Sequence, residues 1–217
     1  MEEYQISPRE TRWCTPQLHH WETGATDHEE VDPKDGMAVQ WMDKDGQDSF
    51  QLLESALLEG QLDAIGTTGL PAAFVRGQSG IKRLFDNYRD EEIFYFRKTK
   101  IFPIMHILVV RKSAVEQDPD LPHKLFTLFV QSKREAQERL KRDFSLSIVW
   151  KTPYLEQEED LFEGDPWAYG LSKNTPAIEK FLQYCYKQGV SARMMDPRDL
   201  FAPATWEFTE ESVLAES

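Results

Sequence analysis

Ile101-Phe102-Pro103-Ile104-Met105-His106-Ile107-Leu108-Val109-Val110-Arg111-Lys112 is the strongest β signal in the chain. From Ile104 to Val110 only His106 interrupts an apolar run. An apolar run without polar alternation predicts a strand covered on both faces, as in a sheet lying under helices. Pro103 marks where it begins, because proline is poorly tolerated inside a central strand. The run falls well short of the roughly 20 apolar residues that cross a bilayer as a helix.

Downstream, the spacing predicts a long helix over Leu121 to Lys141. Asp120 caps it, Pro122 sits in its first turn, and Leu125, Leu128, Phe129, Ser132, Ala136 and Leu140 form its inward stripe. Residues 143–173 read as less regular, with Glu156 to Asp160 a solvated acidic face. Asn174-Thr175-Pro176 opens another helix. Ile178, Phe181, Leu182 and Cys185 face inward on it and Gly189 ends it. A helical turn at Pro197 to Phe201 and an acidic tail follow.

Upstream, Phe94-Tyr95-Phe96-Arg97-Lys98 leads into the strand, and strand alternation places Arg97 and Lys98 on opposite faces. Ile81 to Tyr88 predicts a short amphipathic helix. Ser49 to Gly60 predicts another, capped by Ser49 and closed by Gly60, with Leu52, Leu53, Ala56 and Leu57 on one face. Leu62 to Thr68 then reads as a short strand running into a glycine loop, an α/β connection. Residues 1–48 are mostly loop, with short extended pieces near Thr11 to Cys14 and Met37 to Met42.

The 217 residues are 40% hydrophobic and 29% charged, a globular balance that allows one large domain or two small lobes. A net charge of -13 lacks the basic face of a nucleic-acid binder, so no nucleic acid is expected. Cys14 and Cys185 make no disulfide framework and match no metal spacing. The start, MEEYQISPRETRW, has neither a basic n-region nor an apolar h-region, and the chain reads as cytoplasmic with no membrane partner. His19, His20, Glu22, Asp27, His28, Glu29 and Glu30 are metal-ligating residue types, but their spacing fits no ligand frame, so no metal or other cofactor is expected. Gly77 to Gly80 lacks the spacing of a hydrolase nucleophile elbow.

Three ordered segments carry a resemblance: LLESALLEGQLDAIG at 52–66, RLFDNYRDEEIFYFRKTKIFPIMHILVVRK at 83–112, and GDPWAYGLSKNTPAIEKFLQYCYKQGVSARMMDPRDLFAP at 164–203. Their most specific parts are Tyr95 to Thr99 running into Ile101 to His106, Asp165-Pro166-Trp167 with Tyr169-Gly170, and Leu200 to Pro203. Together they resemble the 4,5-dihydroxyphthalate decarboxylase family, from about Gln51 to Pro203. The resemblance implies an α/β, two-lobed fold of the type 2 periplasmic-binding-protein kind, with the ligand in the cleft between lobes. It implies that residues 1–100 form most of lobe two. Residues 101–217 would form the hinge strand and the C-terminal part of lobe one. Members begin with a further stretch, so the fold is expected to be incomplete at the N-terminus. The loop Gly66 to Leu70 departs from the family in carrying no basic residue.

The implied reaction takes 4,5-dihydroxyphthalate to protocatechuate and carbon dioxide. It needs a cation for the adjacent carboxylates, a proton donor for the ring carbon and polar groups for the hydroxyls. Arg97 is the expected clamp, since a guanidinium binds carboxylates bidentately, with Lys98 and Lys100 behind it. His106 is the expected general acid. Thr67 and Thr68 offer hydroxyls and backbone N–H groups to an anion. Trp167 and Tyr169 offer ring faces for stacking. A solvent-exposed charge at Arg97, a structural histidine at His106, an ordinary turn at Thr67 and Thr68, and a packed turn at Asp165 to Trp167 are the plainer readings of the same residues. The expected partner is a small aromatic carboxylate, and homo-oligomer formation stays open. A non-catalytic solute-binding module and an inactive fragment are the competing functions, because the fold serves both capture and catalysis.

Overall fold

The computed structural model describes residues 7, 10–16, 39–42, 48–78, 80–143 and 147–215. Contacts divide the chain into two units: Met1–Tyr88 with Cys185–Ala192, and Arg89–Tyr184 with Arg193–Ser217. The described residues are mostly helical, with one two-stranded sheet.

In the first unit, β1 (Trp13–Pro16) and β2 (Val39–Met42) pair in parallel, Trp13 opposite Val39 and Pro16 opposite Met42. Helix α1 (Ser49–Leu58) is capped by Asp48, whose carboxylate accepts the Phe50 N–H at 2.9 Å. Asp48 replaces Ser49 as the cap, and the buried Ser49 hydroxyl has no hydrogen-bond partner among the described residues. Gly60 closes the helix in the left-handed region, at φ +72, where a side chain would be strained. Glu54 of α1 accepts the Ala73 N–H of α2 (Ala72–Val75), a carboxylate at a helix N-terminus. That bond seats the buried Ala73.

Two further expectations fail in this unit. Leu62 to Thr68 forms bends and irregular chain, not a strand. Ile81 to Tyr88 is not a helix. Asp86 and Asn87 form a turn there, and side chains of this kind bond their own backbone in competition with a helix. Arg83 instead stacks between Phe74 and Tyr88, 5.3 and 4.2 Å from their ring centres.

The second unit holds α3 (Tyr88–Thr99) from Arg89 on, α4 (Lys112–Gln117), α5 (Leu121–Arg142), α6 (Lys151–Phe162), α7 (Leu171–Lys187) up to Tyr184, 3-10 turns at Pro197–Leu200 and Pro203–Thr205, and α8 (Glu210–Ala215). Its core is Leu171, Ile178 and Leu182 of α7, against which Met195, Phe201 and Trp206 pack. Helix α5 packs on α8 and on the Pro203–Thr205 turn.

Arg97 lies in α3, not in a strand. Asp90 and Glu91 in its first turn and Arg97 and Lys98 in its last complement the helix dipole. That charge order outweighs the β preference of Phe94-Tyr95-Phe96. Lys100, at φ +56, ends the helix and returns its N–H to the Phe96 carbonyl at 2.7 Å.

Ile104 to Val110 forms no strand, and the whole stretch is exposed, Val109 to 84%. An apolar run meets the side-chain condition for a covered strand. The ladder needs partner strands as well, and none among the described residues pairs with this one.

Helix α6 occupies the region read as irregular, and Glu156 to Asp160 lie exposed on it. Helix α7 begins at Leu171, so Pro176 falls inside it, and Phe181 is exposed. Helix α5 stands where the spacing puts it but is turned about its axis. Pro122 and Val130 are buried, with Phe126, Lys133 and Gln137 half-buried on the same face. Leu128, Phe129, Ser132, Ala136 and Leu140 of the expected stripe are exposed.

Candidate functional site

The segment from Asp165 to Gly170 is a turn held by three elements, α5, α7 and α8. Asp165 accepts the Trp167 N–H and the Gln137 side-chain N–H through Oδ1, each at 2.9 Å. Its other carboxylate oxygen meets the Nζ of Lys133. Lys133 also donates to the Trp167 carbonyl at 2.9 Å and to Glu210 at the start of α8. Glu210 in turn accepts the Tyr169 N–H. Asn174 of α7 donates to the Ala168 and Gly170 carbonyls at 2.8 and 2.9 Å.

The side chain of Lys133 is 9% exposed, those of Asp165 and Glu210 28% and 20%. An ammonium has three N–H donors, and Asp165, the Trp167 carbonyl and Glu210 take all of them. Its charge also lies 4.4 Å from the centre of the Tyr169 ring. Gly170 is required by its φ of +108 and by the Phe208 carbonyl oxygen, which a Cβ would meet at 2.7 Å.

Two aromatic chains reach this turn. Phe96 of α3 packs on Phe162 at 4.3 Å between ring centres, Phe162 on Phe102 at 5.1 Å, and Phe102 edge-on to Trp167 at 5.2 Å. On the other side Phe126 lies 6.3 Å from Tyr169 and 5.3 Å from Phe208. Trp167 is thus fixed along its backbone while its indole is 53% exposed.

The sequence-flagged residues fall into separate groups. Trp167 and Tyr169 share the turn. Arg97 and His106 belong to the same unit and both are exposed. Phe102, between them in sequence, is the link to Trp167. Lys100 is engaged by Glu163 at 3.1 Å and by the Phe96 ring. Thr67 and Thr68 are exposed in the other unit, where Thr67 Oγ1 accepts the Gly69 N–H at 3.3 Å, closing a local turn.

Sequence reasoning does not single out Lys133, Glu210 or Asn174 as site residues. The available signal for Lys133 was the spacing Phe126, Val130, Lys133, Gln137, in which polar residues extend an apolar helical series. The cluster His19 to Glu30 lies outside the described residues. Among those described, no group of three or more His, Cys, Asp or Glu is arranged to hold a metal ion. No helix among them is long and apolar enough to cross a membrane.

No protein-family model matches the chain. A curated 4,5-dihydroxyphthalate decarboxylase of Comamonas testosteroni is 32% identical to it over 159 residues, 71% of this chain and 48% of that protein. The chain therefore spans about half the length of the curated relative it matches.

Proposed function

We propose that this chain belongs to the 4,5-dihydroxyphthalate decarboxylase family and supplies part of a carbon–carbon lyase converting 4,5-dihydroxyphthalate to protocatechuate and carbon dioxide. The observation that carries this reading is the 32% identity over 159 residues with a decarboxylase of that name. The proposed scaffold is the two-lobed α/β fold of type 2 periplasmic binding proteins.

In this reading the Trp167 indole and the Tyr169 ring contact the substrate ring, and Arg97 holds a carboxylate bidentately. The bond between ring carbon and leaving carboxylate breaks, its electron pair stays on the ring carbon, and His106 delivers the proton as carbon dioxide departs.

The test is carbon dioxide and protocatechuate formation from 4,5-dihydroxyphthalate by the protein translated from the whole reading frame that contains these residues. His106→Ala is expected to lower kcat by at least about 100-fold, the usual scale of a lost general acid. Unchanged turnover in that variant removes His106 from the mechanism. Tight binding of 4,5-dihydroxyphthalate without carbon dioxide release selects the solute-binding module instead.

A further inference from the structure

We propose that Lys133 is a positioning residue for ligand binding. With Glu210 it clamps the Asp165 to Gly170 turn so that Trp167 and Tyr169 present their rings in one fixed arrangement. The proposal rests on the reading that these two aromatics contact the substrate ring. It adds the device that sets their geometry, together with a role for the C-terminal helix α8.

The Trp167 N–H goes to Asp165, the Trp167 carbonyl to Lys133, the Ala168 and Gly170 carbonyls to Asn174, and the Tyr169 N–H to Glu210. Lys133 is the joint of this set, since it alone touches Asp165, Trp167 and Glu210 together. The Tyr169 ring lies against its charge. With every N–H of its ammonium committed to the protein, Lys133 is not a direct clamp for a substrate carboxylate.

Nor is stability the natural purpose of such a cluster. A buried ion pair does about as well as apolar side chains of the same volume, and often worse. What it adds is direction, because each bond fixes an angle as well as a distance. The direction is applied to the backbone on both sides of an indole that remains half-exposed.

The experiment compares Lys133→Met, Lys133→Arg and Glu210→Gln with the unaltered full-frame protein. Amide hydrogen exchange is read at Tyr169 and at Ile178 and Leu182 of the α7 core. In Lys133→Met exchange at Tyr169 is expected to rise at least about tenfold, and in Glu210→Gln, which keeps an acceptor for the Tyr169 N–H but loses the charge, at least about threefold, while Ile178 and Leu182 stay within about twofold in both. KM for 4,5-dihydroxyphthalate is expected to rise about tenfold with kcat within about threefold, the signature of binding lost equally in ground and transition states. Lys133→Arg, which keeps the charge, is expected to recover part of both effects. Equal acceleration at Tyr169 and in α7 overturns the proposal in favour of plain stability, as does an unchanged KM. Glu210→Gln keeps the proposal falsifiable if Lys133→Met does not fold. If the unaltered protein releases no carbon dioxide, the decarboxylase reading fails separately. Exchange at Tyr169, with the dissociation constant of 4,5-dihydroxyphthalate in place of KM, then decides the role of Lys133.

Discussion

Lys133 on α5 and Asp165, 32 residues further on, form an ion pair in which the lysine side chain is 9% exposed. Removing one partner of a buried pair leaves the other charge uncompensated. Asp165→Ala also strips the Trp167 N–H of its acceptor. Glu210 remains on the ammonium and the carboxylate is partly solvated, so the cost falls at or below the low end for such pairs, about 2–3 kcal/mol. Asp165→Asn, which retains an acceptor for the Trp167 N–H, is expected to lose about half as much. Urea unfolding of the two variants measures both, and equal costs would show that the charge carries the whole effect.

Gly170 and Gly60 separate two reasons for a glycine. Both have positive φ, but a Cβ at Gly170 meets the Phe208 carbonyl oxygen at 2.7 Å, whereas nothing lies within 4 Å at Gly60. Gly60→Ala is expected to cost about 1 kcal/mol, the conformational part alone. Gly170→Ala adds a backbone clash that only movement of the Phe208 segment relieves, and is expected to cost about 3 kcal/mol or more. Paired urea titrations test the order, and a Gly170→Ala cost no larger than that of Gly60→Ala would remove the clash from the account.

The legible parts of this fold are those that local chemistry settles. Gly60 and Gly189 end helices where their left-handed freedom is needed, and α5 runs the length its spacing gives. The illegible parts depend on distant partners. The apolar pattern of Ile104 to Val110 is silent about which strands lie beside it, and among the described residues none do. In α3 the order of charges along the axis outweighed aromatic β preference, a competition that side-chain periodicity does not register. The same limit applies at the candidate site. The segment Asp165 to Gly170 stands out as a turn rich in aromatics. Its fixing groups lie far off in sequence, Lys133 being 34 residues from Trp167 and 77 from Glu210. An interior lysine between two acids reads as a surface charge until the chain is folded.

Burial pushes the Cys185 thiol up from its ordinary value, and hydrogen bonding to its own backbone opposes this only in part. A raised thiol pKa means less thiolate at any given pH. Alkylation of Cys185 by iodoacetamide in a Cys14→Ser background is therefore expected to be slow at neutral pH. Its rate should reach half-maximum only above the ordinary thiol value of 9.0. The linked stability has the matching sign: the neutral thiol that the fold prefers is fully present below the ordinary value, and its contribution is lost as pH rises through the raised one. A half-maximum at or below 9.0 would mean that the thiol is solvated in the folded protein.

Helix α5 provides the last test, because two faces of one helix compete for the inward position. Periodicity selects Leu125, Leu128, Phe129, Ser132, Ala136 and Leu140, whereas Pro122 and Val130 are the residues the structure buries, Val130 to 1% exposure. The chosen face carries Lys133 and Gln137 inward, where Asp165 and Glu210 satisfy them. Those partners make a partly polar face tenable, since a buried polar group is costly only when it lacks a hydrogen bond. Val130→Ala is then expected to cost about 2 kcal/mol through lost packing. Leu128→Ser, on the exposed side, is expected to stay within about 0.5 kcal/mol of the unaltered protein. If urea unfolding reversed this order, the helix would sit in solution with its apolar stripe inward and Lys133 turned to water, and the clamp on the Asp165 to Gly170 turn would not exist.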